Sequence, residues 1–390
     1  MLGKIIVSLA CAAAVTAAGA APYIPASGAQ VLERLPGGLD PARRQLQGLR
    51  TALAANPRNL DLATALAQRY IEQSRRDGDP RYLGYAEAAL APWWRQPEPP
   101  SSVLVLRATL RQSTHQFGPA LADLDTVLKR DSGNAQAWLT RATVQLVTGD
   151  AAGARASCMR LYSRAPELVV QACLASVGSV SGQAAASYER LLQTFDSRAG
   201  SPAPLRAWVA TLLGEMAARL GRPDATEAHF RAALALDPQD SYLLAAYADF
   251  LLERGRAPEV ITLLKDKTQA DALLLRQAIA LKTAGRPDAA RATAELAARF
   301  DAAMLRRDNV HQREQARFEL AVRGDAAAAV RLAKLNWAVQ KEPADLRILA
   351  QAALAGGDAE AQALVRAWLK KSRIEDASLA AIVARFGSAA

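Results

Sequence analysis

Glycines recur along this chain at intervals close to 34 residues. Seven of them form a series with gaps of 33, 39, 34, 30, 39 and 33 residues. Glycine tolerates the left-handed backbone in which helices commonly end, so a regular series of glycines indicates a repeating helical unit. Most are followed by Asp or by Arg-Pro, which favour the start of another helix. The series is Gly149, Gly182, Gly221, Gly255, Gly285, Gly324 and Gly357.

The apolar residues between these glycines are spaced as on an amphipathic helix. Leu213 and Ala217 lie four positions apart before Gly221, and Phe230 and Leu234 repeat that spacing after it. Aromatic residues make up only 5% of the chain, while Ala, Leu and Arg dominate, which favours helices over strands. A single helix hairpin cannot bury its apolar stripe, but stacked hairpins can. We therefore predict an all-α fold, an α-α superhelix (solenoid) of about nine helix hairpins.

Two units carry a fuller pattern, one from Ala207 to Asp240 and one from Ala135 to Leu168. The pattern residues are Leu213, Gly214, Gly221, Thr226, Phe230, Ala233 and Pro238 in the first, and Trp138, Ala142, Gly149, Ala154, Cys158 and Pro166 in the second. They resemble the tetratricopeptide repeats. The resemblance implies a right-handed superhelix whose first helices line a concave groove that binds peptides or partner helices. The stretches PYIPASGAQVLERLP and DPRYLGYAEAALAPWW are similar to exported bacterial repeat proteins of unassigned function.

Five segments follow from these patterns. We predict a signal peptide over 1–20, an N-terminal tail with capping helices over 21–59, repeat units over 60–200 and over 201–373, and a C-terminal capping helix over 374–390. The predicted units start at Ala207 and Ala135, and looser units start at Leu60, Ser101, Ser241 and Asp271. A short helix is expected near Ala29 to Leu35, capped by Ser27. The proline-rich stretch 93–102 is the most loop-like and is a candidate hinge between two halves.

The N-terminus has the features of a secretory signal peptide. Lys4 supplies a positive charge, an apolar run extends from Ile5 to Val15, and Ala18-Gly19-Ala20 is a small-residue cleavage motif. An uncleaved N-terminal anchor and a lipoprotein modified at Cys11 are the alternatives. We expect export, to the periplasm or into the medium, with no membrane insertion after cleavage.

Cleavage would leave two cysteines, Cys158 and Cys173. In an exported protein an isolated pair suggests a disulfide, whereas the alternative is two small buried core residues. Cys158 is predicted on the second helix of one unit and Cys173 on the first helix of the next. Because neighbouring helices of a solenoid pack together, a bond between them is feasible.

No motif in the sequence supports catalysis. There are three histidines, His115, His229 and His311, and none lies near another histidine or a cysteine. Metal sites need three or four ligands brought together, and no such spacing, P-loop or nucleophile motif occurs. We therefore predict a protein that is not an enzyme, with no catalytic residue, no metal and no cofactor.

The predicted function depends on the surface of the first helices. By the resemblance, these helices line a groove for a protein or peptide of a cell-envelope complex. Aromatic residues and arginine are common interface anchors, although Trp208 and Tyr242 could instead pack between units. The predicted groove residues are Gln136, Leu139, Thr143, Trp208, Thr211, Glu215, Arg219, Tyr242, Asp249, Glu253, Arg276 and Lys282.

Two other surfaces are alternatives. Trp93 and Trp94 are either junction packing or an exposed pair that, with the basic surface, binds cell-wall or anionic polysaccharide. The tail from Pro22 to Pro36 could instead insert into a partner. The formal net charge is +10, but the basic residues are spread along the chain, so nucleic-acid binding is not expected. The oligomeric state stays open.

Overall fold

The computed structural model describes residues 41–306 and 310–387, together with Ser27. The chain divides into two units, Met1–Gln45 and Leu46–Ala390. In the first unit the structure describes Ser27, an exposed bend, and the first residues of a helix. The predicted signal peptide over 1–20, the predicted helix near Ala29 to Leu35 and the tail from Pro22 to Pro36 lie outside the described residues, Ser27 excepted.

Twenty α-helices and no strand lie within the residues that the structure describes. A π-helical turn, Glu319–Arg323, directly continues α16. The helices are α1 (Pro41–Ala55), α2 (Leu60–Asp77), α3 (Arg81–Trp94), α4 (Ser101–Ser113), α5 (Phe117–Arg130), α6 (Ala135–Val147), α7 (Ala151–Met159), α8 (Glu167–Gly178), α9 (Ala184–Ser197), α10 (Ala203–Arg219), α11 (Pro223–Leu236), α12 (Ser241–Glu253), α13 (Ala257–Leu263), α14 (Asp271–Thr283), α15 (Ala289–Leu305), α16 (Gln312–Phe318), α17 (Ala326–Val339), α18 (Pro343–Gly356), α19 (Ala359–Ser372) and α20 (Ala377–Val383).

The helices from α2 to α19 pair in chain order into nine hairpins. The predicted all-α solenoid is therefore confirmed. In each hairpin the even-numbered helix is the first helix and the odd-numbered helix is the second. Each of the seven predicted glycines lies between the two helices of one hairpin, with φ between 61° and 86°. In the hairpin of α4 and α5, His115 takes this place with a φ of 57°.

Side chains that precede the helices explain where several of them begin. The Asn134 side chain accepts the N–H of Ala137 at the start of α6, and the Asp240 side chain accepts the N–H of Leu243 in α12. These bonds satisfy backbone donors that the first turn of a helix leaves without partners. α11 and α18 begin instead at a proline, whose missing N–H and fixed φ suit the first position of a helix.

The apolar faces of successive hairpins form the core. The largest cluster extends from α8 to α14 and is centred on Leu213, Phe230 and Leu244. Smaller clusters on either side continue it along the array. Burial of these side chains between neighbouring hairpins is what makes the single hairpins stable as a stack.

Residues far apart in the sequence also contact each other, which closes the superhelix on itself. The backbone N–H of Lys341 donates to the carbonyl of Val147 over 2.7 Å, and the Ser241 hydroxyl donates to the carbonyl of Arg75 over 2.8 Å. A Cβ at Gly149 would lie 2.6 Å from the Trp368 ring. We call this line of contacts the seam; it joins Arg75–Gly78 to Ser241 and Ala270, Val147–Gly149 to Lys341 and Trp368, and Gly182 and Gly221 to Arg373 and Ala377.

The structure corrects the predicted loop over 93–102 in two respects. Trp93 and Trp94 end α3, and α4 already begins at Ser101, so only 95–100 are irregular. The connection is also tied to the next hairpin. Arg107 donates to the carbonyl of Trp94, and Arg130 donates to the carbonyl of Pro99 over 2.7 Å. These two bonds oppose the hinge that the prolines suggested.

None of the helices in the described ranges combines the length and the apolar character that crossing a membrane would require.

Candidate functional site

The predicted groove is partly filled by the chain's own later hairpins. Asp249 on α12 accepts from Arg276 on α14 over 2.7 Å and from Arg317 on α16 over 2.5 Å. The first helices of three successive hairpins therefore meet on the face that was predicted to be open. Burial raises the pKa of the Asp249 carboxyl, but the two guanidinium charges outweigh it and hold that pKa at about 2.

A second ion cluster ties α12 to the C-terminal hairpins. Arg347 on α18 pairs with Glu253 and donates to Asp376 over 3.0 Å. The Ser378 hydroxyl also donates to Glu253, over 3.3 Å. Asp249, Glu253 and Arg276 are thus used inside the protein. Their predicted role in binding a partner stays a prediction, although ion pairs with α16 and α18 already engage their charges.

Two further groove residues are buried against neighbouring helices. Arg219 donates to the Ser179 hydroxyl over 3.0 Å, and its Nε has no hydrogen-bond partner. The Thr211 hydroxyl donates to the carbonyl of Ala207 within α10, over 2.9 Å. Both side chains are covered where α8 packs against α10. Neither presents a free surface, which corrects their predicted role.

The N-terminal parts of α10 and α12 remain accessible. Trp208 is 42% exposed and Tyr242 is 60% exposed, at the start of two neighbouring first helices. The Tyr242 hydroxyl donates to the Glu215 carboxylate over 2.6 Å, which links α12 to α10. We call Trp208, Glu215 and Tyr242 the aromatic face.

The charge state of the aromatic face is set by its surroundings. Burial raises the pKa of the Glu215 carboxyl, and the charge of Glu342 adds to this effect. The charge of Glu215 raises the pKa of the Tyr242 phenol well above its usual range. The phenol therefore stays protonated at neutral pH and keeps donating to the carboxylate.

The remaining predicted groove residues do not join the aromatic face. Gln136 and Thr143 are exposed on α6, whereas Leu139 is half-buried against the cluster around Cys158. The ammonium of Lys282 donates to the carbonyls of Ala321 and Val322 at the end of the π-helical turn. Lys282 thus stabilises the end of that helix, a position where cations are favoured.

Trp93 and Trp94 do not form an exposed pair. Trp93 is only 9% exposed and packs with the apolar residues of α2 and α3. Trp94 is half-buried, with the Arg107 guanidinium 5.7 Å from its ring centre. Arg107 is itself held by the buried Asp123 over 2.7 Å. The aromatic pair that would stack on a sugar ring is therefore absent at this position.

Cys158 and Cys173 are joined by a disulfide, with their Cα atoms 5.7 Å apart. The bond connects the second helix of one hairpin to the first helix of the next. Both cysteines are buried in one apolar cluster with Leu161 and Val170. The disulfide thus fixes the junction between α7 and α8.

Sequence reasoning missed a hub around Arg313. Arg313 lies at the start of α16 and reaches Glu342 over 2.7 Å, and Glu314 and the buried Asp345 over 3.2 and 3.4 Å. Asp345 also accepts from Asn336 and Gln340. Nothing local in the sequence indicates this hub, because Arg313 and Asp345 come from different hairpins. Within the described ranges no group of three or more His, Cys, Asp and Glu side chains could hold a metal ion.

The comparisons with known proteins agree with this architecture. Residues 217–271, in the hairpins of α10 to α13, match the family model of the tetratricopeptide repeat. The chain is a repeat protein built as an α-α solenoid. Over residues 217–271 it carries a tetratricopeptide repeat. Among curated proteins, none matches this sequence.

Several solved structures are similar at low identity. A tetratricopeptide repeat protein from Parabacteroides merdae is 15% identical, with a TM-score of 0.37, over 73% of this chain and 98% of that one. A human IFIT1 dimer with PPP-AAAA is 15% identical, with a TM-score of 0.47, over 88% and 86%. PilW, a type IV pilus biogenesis factor, is 19% identical, with a TM-score of 0.23, over 73% and 98%. At these values the similarities assign no function to this chain.

Proposed function

We propose that this protein is an exported, non-catalytic scaffold that binds a protein or peptide of the cell envelope through the aromatic face. The tetratricopeptide repeat architecture supports a role in protein interaction. Export rests on the sequence of residues 1–20, and the envelope partner rests on the same reasoning.

The observation that carries the proposal is the exposure of Trp208 and Tyr242. Most of the aromatic side chains in the central cluster, such as Tyr188, Phe230 and Tyr247, are packed inside. Trp208 and Tyr242 stay accessible on adjacent first helices, and the bond to Glu215 holds the Tyr242 ring. Rigid, exposed aromatic residues with a fixed polar end are the usual anchors of protein interfaces.

The aromatic face favours a ligand that brings apolar side chains to the two rings. Gln136 and Thr143 on α6 could extend the contact along the array. The charges of Asp249, Glu253 and Arg276 are paired within the protein, so we expect them to add little to the binding of a ligand. We therefore expect the affinity of a bound segment to depend on the two rings and only weakly on ionic strength.

Peptide binding to the full-length purified protein tests this role. A double variant, Trp208→Ala with Tyr242→Ala, should weaken binding of selected peptides by about tenfold or more, because hot-spot aromatics carry much of an interface's free energy. The matched control replaces two exposed tyrosines elsewhere, Tyr85→Ala with Tyr162→Ala. Peptides selected on an immobilised array would be measured by titration calorimetry. Equal affinity of both double variants would contradict a role of the aromatic face.

Export is tested on the protein recovered from cell fractions. Intact-mass measurement should show loss of residues 1–20 and, relative to a reduced sample, two fewer hydrogen atoms from the Cys158–Cys173 bond. Export removes a signal peptide, and an oxidising compartment favours the disulfide. Full-length protein with free thiols in the cytoplasmic fraction would contradict export.

A further inference from the structure

A cavity of about 550 Å³ opens at the seam. One wall is formed by the turns that follow α6 and α8, and the other by the start of α18 and the end of α19. The second wall contributes Lys341, Trp368, Lys371 and Arg373. The volume lies within the range of pockets that hold small molecules. None of these residues belongs to the aromatic face.

Positive charge is in excess at the cavity, whose lining holds three cations, Lys341, Lys371 and Arg373, and two carboxylates, Asp150 and Glu342. Lys341, Lys371 and Arg373 form no ion pair with any residue that the structure describes. Of the two carboxylates, Glu342 pairs with Arg313 over 2.7 Å, whereas Asp150 accepts the neutral N–H of Gly153 over 2.8 Å and keeps its charge. Burial lowers the pKa of the Lys341 ammonium, and the charge of Lys371 lowers it further against the opposing charge of Asp345.

Two tryptophans hold the lysines in place. The Lys341 ammonium lies 4.7 Å from the centre of the Trp337 ring, and the Lys371 ammonium lies 5.2 Å from that of Trp368. The two rings meet edge to face at 5.2 Å. Such contacts orient the ammonium groups without neutralising their charge. Trp368 also gives the cavity one aromatic wall.

Arg373 has a backbone conformation that disfavours its own side chain. It ends α19 in the left-handed region, with a φ of 55°. In the turns between the two helices of most hairpins, the residue with this conformation is a glycine. A strained residue other than glycine is consistent with a side chain that is kept for its function. The side chain of Arg373 passes Gly182 across the seam, with its Cβ 3.1 Å from where a Cβ at Gly182 would lie.

We propose that the seam cavity binds a small molecule that carries an oxyanion, phosphate or carboxylate, on a ring. Lys371 and Arg373 contact the oxyanion, and Trp368 lies against the ring. Because residues of both sides of the seam line the cavity, a bound ligand stabilises the closed superhelix.

Titration calorimetry and thermal unfolding of the full-length protein test the proposal with three probes: glucose 6-phosphate, glucuronate and neutral glucose. At least one of the two anionic probes should bind and raise the unfolding midpoint, and glucose should do neither. The anion that binds more tightly identifies the oxyanion as phosphate or carboxylate. Lys371→Ala should weaken binding by about tenfold or more. The neighbouring Lys370→Ala is the matched control, because Lys370 does not line the cavity. The affinity of this variant for the anionic probe should stay within about twofold of that of the unchanged protein.

A second variant separates loss of binding from loss of folding. Arg373→Gly removes a cation and also relieves the unfavourable backbone conformation. This variant should unfold at a temperature no lower than the unchanged protein, yet bind the anionic probe more weakly. No heat or midpoint shift with either anionic probe, or equal weakening by Lys370→Ala and Lys371→Ala, would overturn the proposal.

Discussion

At the scale of single residues, Gly214 shows that the repeat pattern depends on packing as well as on turns. Gly214 lies inside α10, and Phe230 lies inside α11 of the same hairpin. A Cβ at Gly214 would lie 2.8 Å from the Phe230 ring, closer than van der Waals contact allows. The missing side chain therefore lets α11 approach α10, and the fully buried ring fills the space in the largest apolar cluster.

Gly214→Ala should destabilise the protein although alanine is the better helix former. Displacing a buried ring from a well-packed core costs about 1–3 kcal/mol, more than the gain in helix propensity. The measurement is the free energy of unfolding in urea. Gly84→Ala in α3 is the matched control, since a Cβ there meets nothing within 4 Å. That variant should be about 0.5–1 kcal/mol more stable. A stable Gly214→Ala would contradict the packing argument.

At the scale of helices, the sequence predicts boundaries well because the determinants are local. The predicted unit starts at Leu60, Ser101, Ala135, Ser241 and Asp271 are each the first residue of a helix, whereas the unit predicted from Ala207 begins at Ala203. Asn and Asp caps, prolines and glycines fix these positions through bonds within a few residues. The prediction of a loop over 93–102 was wrong at both ends for a related reason. Its prolines exclude helix only from the middle of the stretch, so α3 continues to Trp94.

Which helix faces stay exposed could not be predicted from local pattern. The stripe that carries Trp208 and Tyr242 was expected to be accessible, and these two side chains are. Arg219 on α10 and Arg276 on α14 were predicted on the same faces of the first helices, but both are buried. The difference comes from the helices beside each side chain, since Arg219 donates to Ser179 at the end of α8 and Arg276 pairs with Asp249 on α12. A helical period of three and four residues defines a face but does not say which distant helix will cover it.

At the scale of the whole molecule, the seam decides whether the solenoid is open or closed. Its contacts join residues such as Val147 and Lys341, which lie in hairpins that are not neighbours. The seam also creates the cavity around Trp368 and Lys371. Two constraints favour glycine at position 149. Its φ is 86°, and the Trp368 ring occupies the space that a Cβ would need.

Gly149→Ala should therefore open the seam, whereas Gly324→Ala should not. Both substitutions place alanine in the left-handed region, which costs about 1–2 kcal/mol. At Gly324, with a φ of 75°, a Cβ meets nothing within 4 Å, so only that backbone cost applies. Hydrogen exchange separates the two effects, because the Lys341 N–H is bonded across the seam to Val147. We expect faster exchange of the Lys341 amide in Gly149→Ala, at equal overall helix content, and unchanged exchange in Gly324→Ala. If the Lys341 amide were equally protected in both variants, the turn of α6 and the start of α18 would not depend on Gly149 for their contact.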